Sequence, residues 1–221
     1  VIRAVLFDLD DTLFDHTTAA RSAVVRWALE RGVSGEEEAL STRWRTVSDR
    51  HYRRYQAREL TYEEQGRERV REFLAQHVDD AEADEAFNAY RTHYRTDWRA
   101  FADARPAIER LHEDGVVVGV LTNGAREQQA LKIERVGLAD LRMPLFASSD
   151  FPAGKPDPRP FLVACGTLGL PPEQVTMVGD SVPIDVEGAL AAGLAAVLLD
   201  RFDAHPDHDG DRVRSLDDLL I

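Results

Sequence analysis

Short apolar runs that alternate with helix-length stretches constrain this chain more than any other feature. Ile2 to Leu9 (I-R-A-V-L-F-D-L) is too brief for a helix, is rich in strand formers and ends in a cluster of acids. Similar runs follow at Val116 to Leu121, around Leu145 to Ala147, at Val175 to Val178 and at Ala195 to Leu199. Helical stretches lie between most of them, at Ala104 to Glu113, Ala125 to Val136, Pro158 to Leu168 and Pro183 to Ala192. Continuous apolar strands, each returned by a helix, predict an α/β fold with a doubly wound parallel sheet covered on both faces. Ligands on such sheets bind beyond the carboxyl ends of the strands, so chemistry is expected there.

One interval breaks the rhythm. From Asp15 to Asp97 there is no proline and no strand-like run, only amphipathic stretches rich in Arg and Glu. They predict helices over Thr17 to Arg31, Glu36 to Ala57, Tyr62 to Gln76 and Ala81 to Trp98. The expected organisation is a core of residues 1–14 and 97–221 with an inserted α-helical module of residues 15–96. The charge supports the division. The stretch Asp15 to Arg95 is nearly balanced, with 14 basic and 16 acidic residues, although the whole chain carries −13. That net charge argues against a nucleic-acid polymer or an anionic membrane as partner. No run of about 18 apolar residues occurs, and the sequence opens directly on a strand-like segment, so neither a span nor a signal peptide is expected and the cytoplasm is the default location. The single cysteine, Cys165, excludes internal disulfides and a cysteine zinc site, and is expected to be an inert core thiol. Of 27 basic residues only Lys132 and Lys155 are lysine, so a lysine in this sequence is informative.

Four polar groups stand at the ends of separate predicted strands. The first strand runs into D-L-D-D-T, Asp8 to Thr12. If the chain leaves the strand here, Asp8 and Asp10 can approach one pocket, and acids that close repel unless a cation or a proton lies between them. A calcium loop of the EF-hand kind is excluded, because it needs Gly at its sixth position and Glu at its twelfth, where this chain has Leu13 and Ala19. The second strand ends in Leu121, Thr122, Asn123, Gly124 before a helix, which suits a phosphate oxygen. Next comes G-K-P-D-P, whose Lys155 can neutralise a carboxylate or a phosphoryl group. After the fourth strand, G-D-S-V-P-I-D places Asp180 and Asp185 where oxygen ligands could hold a hard divalent cation.

Together D-L-D-D-T, L-T-N-G, G-K-P-D-P and G-D-S-V-P-I-D resemble the four ordered motifs of the haloacid dehalogenase-like hydrolase superfamily. The insertion resembles that superfamily's type-one helical cap. The resemblance implies a Rossmann-like core and a magnesium-dependent phosphatase acting on a small phosphorylated metabolite. It makes Asp8 the nucleophile that forms an aspartyl phosphate and Asp10 the general acid and then base. Magnesium would be held by the carboxylates of Asp8 and Asp180 and the backbone carbonyl of Asp10, with Asp185 ordering that shell or Lys155. Thr122, Asn123 and Lys155 would hold the phosphoryl oxygens, with Thr12 and Ser181 supporting the loops. Relatives that dehalogenate lack an acid two residues after the nucleophile, so Asp10 favours phosphoryl chemistry. A sugar phosphomutase keeps both acids and stays open as an alternative. A non-catalytic phosphometabolite-binding protein is disfavoured, because no catalytic position is lost. D-D-T-L-F, and L-T-N-G followed by Gln128, Gln129, Lys132, Gly137 and Leu138, look most like the nucleotidase and acylneuraminate-phosphate phosphatase branch.

The cap implied by the resemblance would cover the phosphate pocket and set substrate choice. His16, Arg50, Arg53, Arg54 and Arg58 are candidates for a second polar or anionic group, although helical surface charge explains them better. Trp27, Trp44 and Trp98 suit packing roles. His205 and His208 sit among aspartates in a turn-rich stretch and are expected to be solvated. Oligomeric state is not legible.

Overall fold

The computed structural model describes residues 1–221, which divide into two compact units, Val1–Asp15 with Arg99–Ile221 and His16–Trp98. The first unit is built on six parallel strands: β1 (Ala4–Phe7), β2 (Val117–Thr122), β3 (Leu145–Ala147), β4 (Val175–Gly179), β5 (Ala195–Leu199) and β6 (Arg212–Val213). Their order across the sheet is β3-β2-β1-β4-β5-β6. The fold is thus the α/β sheet with a helical insertion that the apolar runs predict. Ala4 of β1 is in register with Val117 on one side and Val175 on the other. Strand order therefore reverses around β1, and the loops after β1 and β4 part at a switch point, where sheets of this kind open a crevice.

All of β1 is sealed from solvent, as a central parallel strand must be. On one face Leu6, Leu121 and Met177 pack with Phe161, Ala164 and Cys165 of α7 (Pro158–Leu168), and burial raises the pKa of the Cys165 thiol, as an inert core position requires. The remaining helices of this unit are α5 (Ala104–Glu113), α6 (Arg126–Arg135) and the short α8 (Glu187–Ala191). A single helix expected over Pro183 to Ala192 is instead a π-helical turn, Val182–Val186, leading into α8. Its cause is visible at Ser181, whose carbonyl accepts from the N–H groups of both Asp185 (2.9 Å) and Val186 (3.2 Å). Strand β6 was not expected, because two residues beginning with Arg carry no apolar pattern. It emerges from the turn-rich stretch, which Asp200 organises by accepting from the backbone of Ala204 (2.8 Å) and His205 (2.9 Å). His205 is exposed there, and neither it nor His208 belongs to a metal-competent cluster.

The insertion leaves and re-enters through a closed neck. Asp15 N–H donates to the Arg99 carbonyl (3.1 Å) and Phe101 N–H to that of Leu13 (2.9 Å). The Arg99 guanidinium also donates twice to one Asp15 carboxylate oxygen, at 2.9 and 2.7 Å. The second unit comprises α1 (His16–Glu30), α2 (Glu37–Gln56), α3 (Tyr62–Leu74) and α4 (Asp80–Thr96). Helices α3 and α4 begin with reciprocal capping boxes, Thr61 with Glu64 and Asp79 with Glu82, which satisfy N–H groups the first turn leaves open. The unit closes around aromatic rings, with Trp27 5.4 Å from Trp44 and 5.3 Å from Phe73, and Trp44 4.4 Å from Tyr90. Trp98 meets Tyr94 edge-on at 5.5 Å. Arg50 and Arg54 pair with Glu72 and Glu59, Arg53 bonds the Asp49 carbonyl, and His16 meets the Tyr94 hydroxyl. No helix of either unit is long and apolar enough to cross a membrane.

Trp27 is completely buried at the centre of this cluster. Trp27→Ala removes contacts to three other rings, and is expected to cost the helical unit about 3–5 kcal/mol. Urea unfolding followed by far-ultraviolet circular dichroism reads that loss, and a variant as stable as wild type would contradict the packing described.

Candidate active site

The site starts from what happens when β1 ends. Asp8 N–H still donates to Val178 of β4 (2.9 Å), but the carbonyl of Leu9 then receives the N–H groups of Leu13 (3.0 Å) and Phe14 (2.9 Å). The chain folds back into a tight turn. Asp11 occupies the left-handed region (φ +57°), which Asp tolerates better than most side chains. The turn carries Asp8 and Asp10 to the carboxyl edge of the sheet. Thr12 is sealed inside it with no partner for its hydroxyl, so it does not support the loop through that group. Its carbonyl instead accepts from Arg201 (2.8 Å).

Lys155 reaches this edge from the loop after β3. Its ammonium donates to Asp8 Oδ1 at 2.7 Å and to Asp185 Oδ1 at 2.5 Å, and its side chain is 1% exposed. Asn123 holds the loop, donating from Nδ2 to the Lys155 carbonyl (2.8 Å) and accepting at Oδ1 from the Lys155 N–H (2.9 Å). Both polar atoms of the Asn123 side chain thus engage the backbone of Lys155 and fix the loop that delivers the lysine. Thr122 is buried at the end of β2 beside it. Gly124 follows with φ +142°, and its N–H donates to Ser148 Oγ at 2.8 Å. A side chain at that φ would be strained.

The other wall comes from the end of β4. Asp185 Oδ2 accepts from the Ser181 N–H at 3.1 Å, so Ser181 acts here through its backbone. A Cβ on Gly179 would lie 2.4 Å from Asp185 Cγ, so only glycine lets the carboxylate approach the strand. Asp8, Asp180 and Asp185 each offer an oxygen, and these atoms lie within 4.8 Å of one another, which suits one hard cation with oxygen ligands.

Electrostatics sharpen this arrangement. Burial pushes the Asp8 carboxyl up to about 7 and, although Lys155 opposes it, Asp185 and Asp10 add to the rise. Burial, together with repulsion from Asp8, Asp185 and Asp11, pushes Asp180 up to about 8. Burial alone would lower Lys155, but Asp185 and Asp8 outweigh it and hold the ammonium above its ordinary range. The donor set therefore carries more negative charge than its one lysine balances. It fits a divalent cation both in atom type and in charge.

The sequence did not assign the other lysine to the site. Lys132 of α6 is 7% exposed, and its ammonium donates to Asp10 at 2.6 Å (Oδ1) and 2.7 Å (Oδ2). Gln129, one turn earlier, donates to the Asn123 carbonyl at 2.8 Å. The rarity of lysine was the signal that could have found Lys132.

A family model described as haloacid dehalogenase-like hydrolase matches residues 2–193. A glyceraldehyde 3-phosphate phosphatase of Methanopyrus kandleri is 29% identical over 241 residues, covering 100% of this chain and 97% of the relative. The (S)-2-haloacid dehalogenase 4A of Burkholderia cepacia is 30% identical over 224 residues, covering 94% and 87%. The crystal structure of the HAD-hydrolase YfnB from Bacillus subtilis bound to magnesium superposes with a TM-score of 0.79 at 21% identity, over 98% of this chain and 96% of that one.

Asp8 and Asp180 bind protons more tightly folded, at about 7 and 8, than at the ordinary carboxyl value of 3.8. A carboxyl raised in this way makes stability fall as pH rises from the unfolded pKa through the folded one. Chelator-treated protein is therefore expected to lose several degrees of melting temperature between pH 5 and pH 8, and Asp180→Asn to flatten that slope. Magnesium should raise the melting temperature more at pH 8 than at pH 5. Equal slopes in wild type and Asp180→Asn would refute the coupling.

Proposed function

The chain belongs to the haloacid dehalogenase-like hydrolase family, and we propose that within it this protein is a magnesium-dependent phosphatase that hydrolyses a small phosphomonoester through an aspartyl phosphate on Asp8. The observation that carries the reading is the pair of acids in one turn, Asp8 met by Lys155, which it shares with Asp185, and Asp10 met by Lys132. Relatives by sequence include both phosphatases and a dehalogenase. Since dehalogenases of the family lack the second acid, Asp10 supports phosphoryl transfer.

In the first half-reaction an Asp8 carboxylate oxygen attacks phosphorus. The bond from phosphorus to the ester oxygen breaks, and Asp10 delivers a proton to the departing alcohol. In the second, Asp10 takes a proton from water as that oxygen attacks phosphorus. Inorganic phosphate leaves and the Asp8 carboxylate is restored. Lys155, already 2.7 Å from Asp8, supplies fixed positive charge beside the transferring group. Thr122 and the backbone amides of the turn at Asn123 would orient phosphoryl oxygens, with Asn123 keeping Lys155 in place. Magnesium would be held by Asp8, Asp180 and the backbone carbonyl of Asp10, where its charge offsets the repulsion between carboxylate and phosphate. Asp185, whose two oxygens already engage Lys155 and Ser181, would orient the lysine.

The substrate class is a nucleotide, sugar phosphate or phosphoacid. The Gln128, Gln129 and Lys132 pattern after L-T-N-G puts nucleoside monophosphates and acylneuraminate phosphates first among these. With magnesium the protein should release phosphate from 4-nitrophenyl phosphate, and chelation or Asp8→Asn should reduce release to background. Full activity of Asp8→Asn would sink the mechanism. Isomerisation of a hexose phosphate without net phosphate release would favour the mutase instead.

A further inference from the structure

Asp10 lies in a turn beyond β1, its side chain is 30% exposed, and packing alone does not select its rotamer. Its neighbour Asp8 carries like charge and is driven up in part by it. A group that must meet a leaving oxygen and then a water has to be held to about 0.5 Å, so some other residue must fix it.

Lys132 has the geometry for that task. Its ammonium meets both Asp10 oxygens, at 2.6 and 2.7 Å, so it fixes the plane of the carboxylate as well as one atom. The ammonium also stands 5.1 Å from the centre of the Phe14 ring, within cation–π range, so a second side chain helps to place it. Phe14 is itself closed onto the Asp10 turn through its N–H bond to Leu9 (2.9 Å). Gln129 and Lys132 are three apart and so share a face of α6, one gripping the Asn123 carbonyl and the other Asp10. One helix therefore ties the turn after β2 to the turn after β1. In a chain with two lysines among 27 basic residues, this position holds a compact point charge where an arginine fork would be longer and planar.

We propose that Lys132 is the positioning residue for Asp10, holding its carboxyl group where the acid form gives its proton to the leaving group and the resulting carboxylate takes one from the attacking water. The proposal rests on the phosphatase reading and on Asp10 as its acid and base. It is independent of which phosphate ester the protein uses.

The test is a double-mutant cycle in the magnesium-loaded protein with 4-nitrophenyl phosphate and ethyl phosphate. Asp10→Asn is expected to lose about 10²–10⁴ in kcat. Lys132→Met should lower kcat about 10–100-fold with KM within about twofold, and more for ethyl phosphate, whose alkoxide needs a proton, than for the good nitrophenolate leaving group. Lys132→Arg should recover to within about tenfold of wild type. The double variant should be no slower than Asp10→Asn alone, because Lys132 has nothing left to act on. Wild-type kcat in Lys132→Met, a rise in KM at constant kcat, equal losses on both esters, or multiplicative losses in the double variant would each overturn the proposal. Lys132→Gln carries the same cycle if the Met variant does not fold. The phosphatase reading fails by a different result, full activity of Asp8→Asn, so the two failures are distinguishable.

Discussion

The buried ammonium of Lys155, set between Asp8 and Asp185, is the interaction on which the rest of this site depends. A carboxylate taken out of water is tolerated only with compensating charge and hydrogen bonds, and removing one partner of such a pair costs about 3–5 kcal/mol. Lys155 is itself 5% exposed and could not stay charged there without its two acids. Each group thus makes the others' burial possible. The consequence for the fold is strict. The loops after β1, β3 and β4 must converge within hydrogen-bonding distance, and the parallel sheet provides that convergence by bringing their carboxyl ends to one edge.

Local backbone chemistry then makes the convergence fit. Gly179 lets Asp185 approach the end of β4, the two-fold use of the Ser181 carbonyl turns the chain there, and Asn123 locks the loop that delivers Lys155. Two of these contacts are local and the third joins loops 32 positions apart, and all lie within the first unit. The neck at Asp15 and Arg99 ties the two ends of the insertion together within that same unit. Closing a long excursion at its base limits the penalty to the ordering of a few neck residues, and the length of the excursion adds little more.

What was legible in the sequence follows from how far each signal reaches. Asp8, Asp180 and Lys155 could be placed at one edge because each follows an apolar run, and parallel strands bring such ends together. The helical insertion was legible because proline and strand-like runs vanish from it. Lys132 was not, since its partner Asp10 lies 122 positions away and nothing in the amphipathic pattern of α6 says which turn its polar end meets. The bonds from the Asn123 side chain to the backbone of Lys155 were not legible either, since their partner lies 32 positions away in a loop with no period. Strand β6 was invisible because two residues show no period. The π-helical turn escaped notice because it arises from one carbonyl's hydrogen-bond choice.

The arrangement of charge leads one step further. Asp10 has Lys132, and Asp185 has Lys155 with a backbone N–H in addition. Asp8 must share Lys155, and Asp180 has no basic side chain in salt-bridge range. The unbalanced negative charge therefore falls on Asp8 and Asp180, the two carboxyls whose proton affinity burial and mutual repulsion raise most. A proton and a divalent cation are alternative ways of relieving that repulsion. Burial and repulsion favour the protonated forms of both carboxyls, so a cation bound there would release protons as it takes over that relief. The same imbalance that makes Asp8 and Asp180 costly to bury unpaired is what a cation with oxygen ligands would relieve.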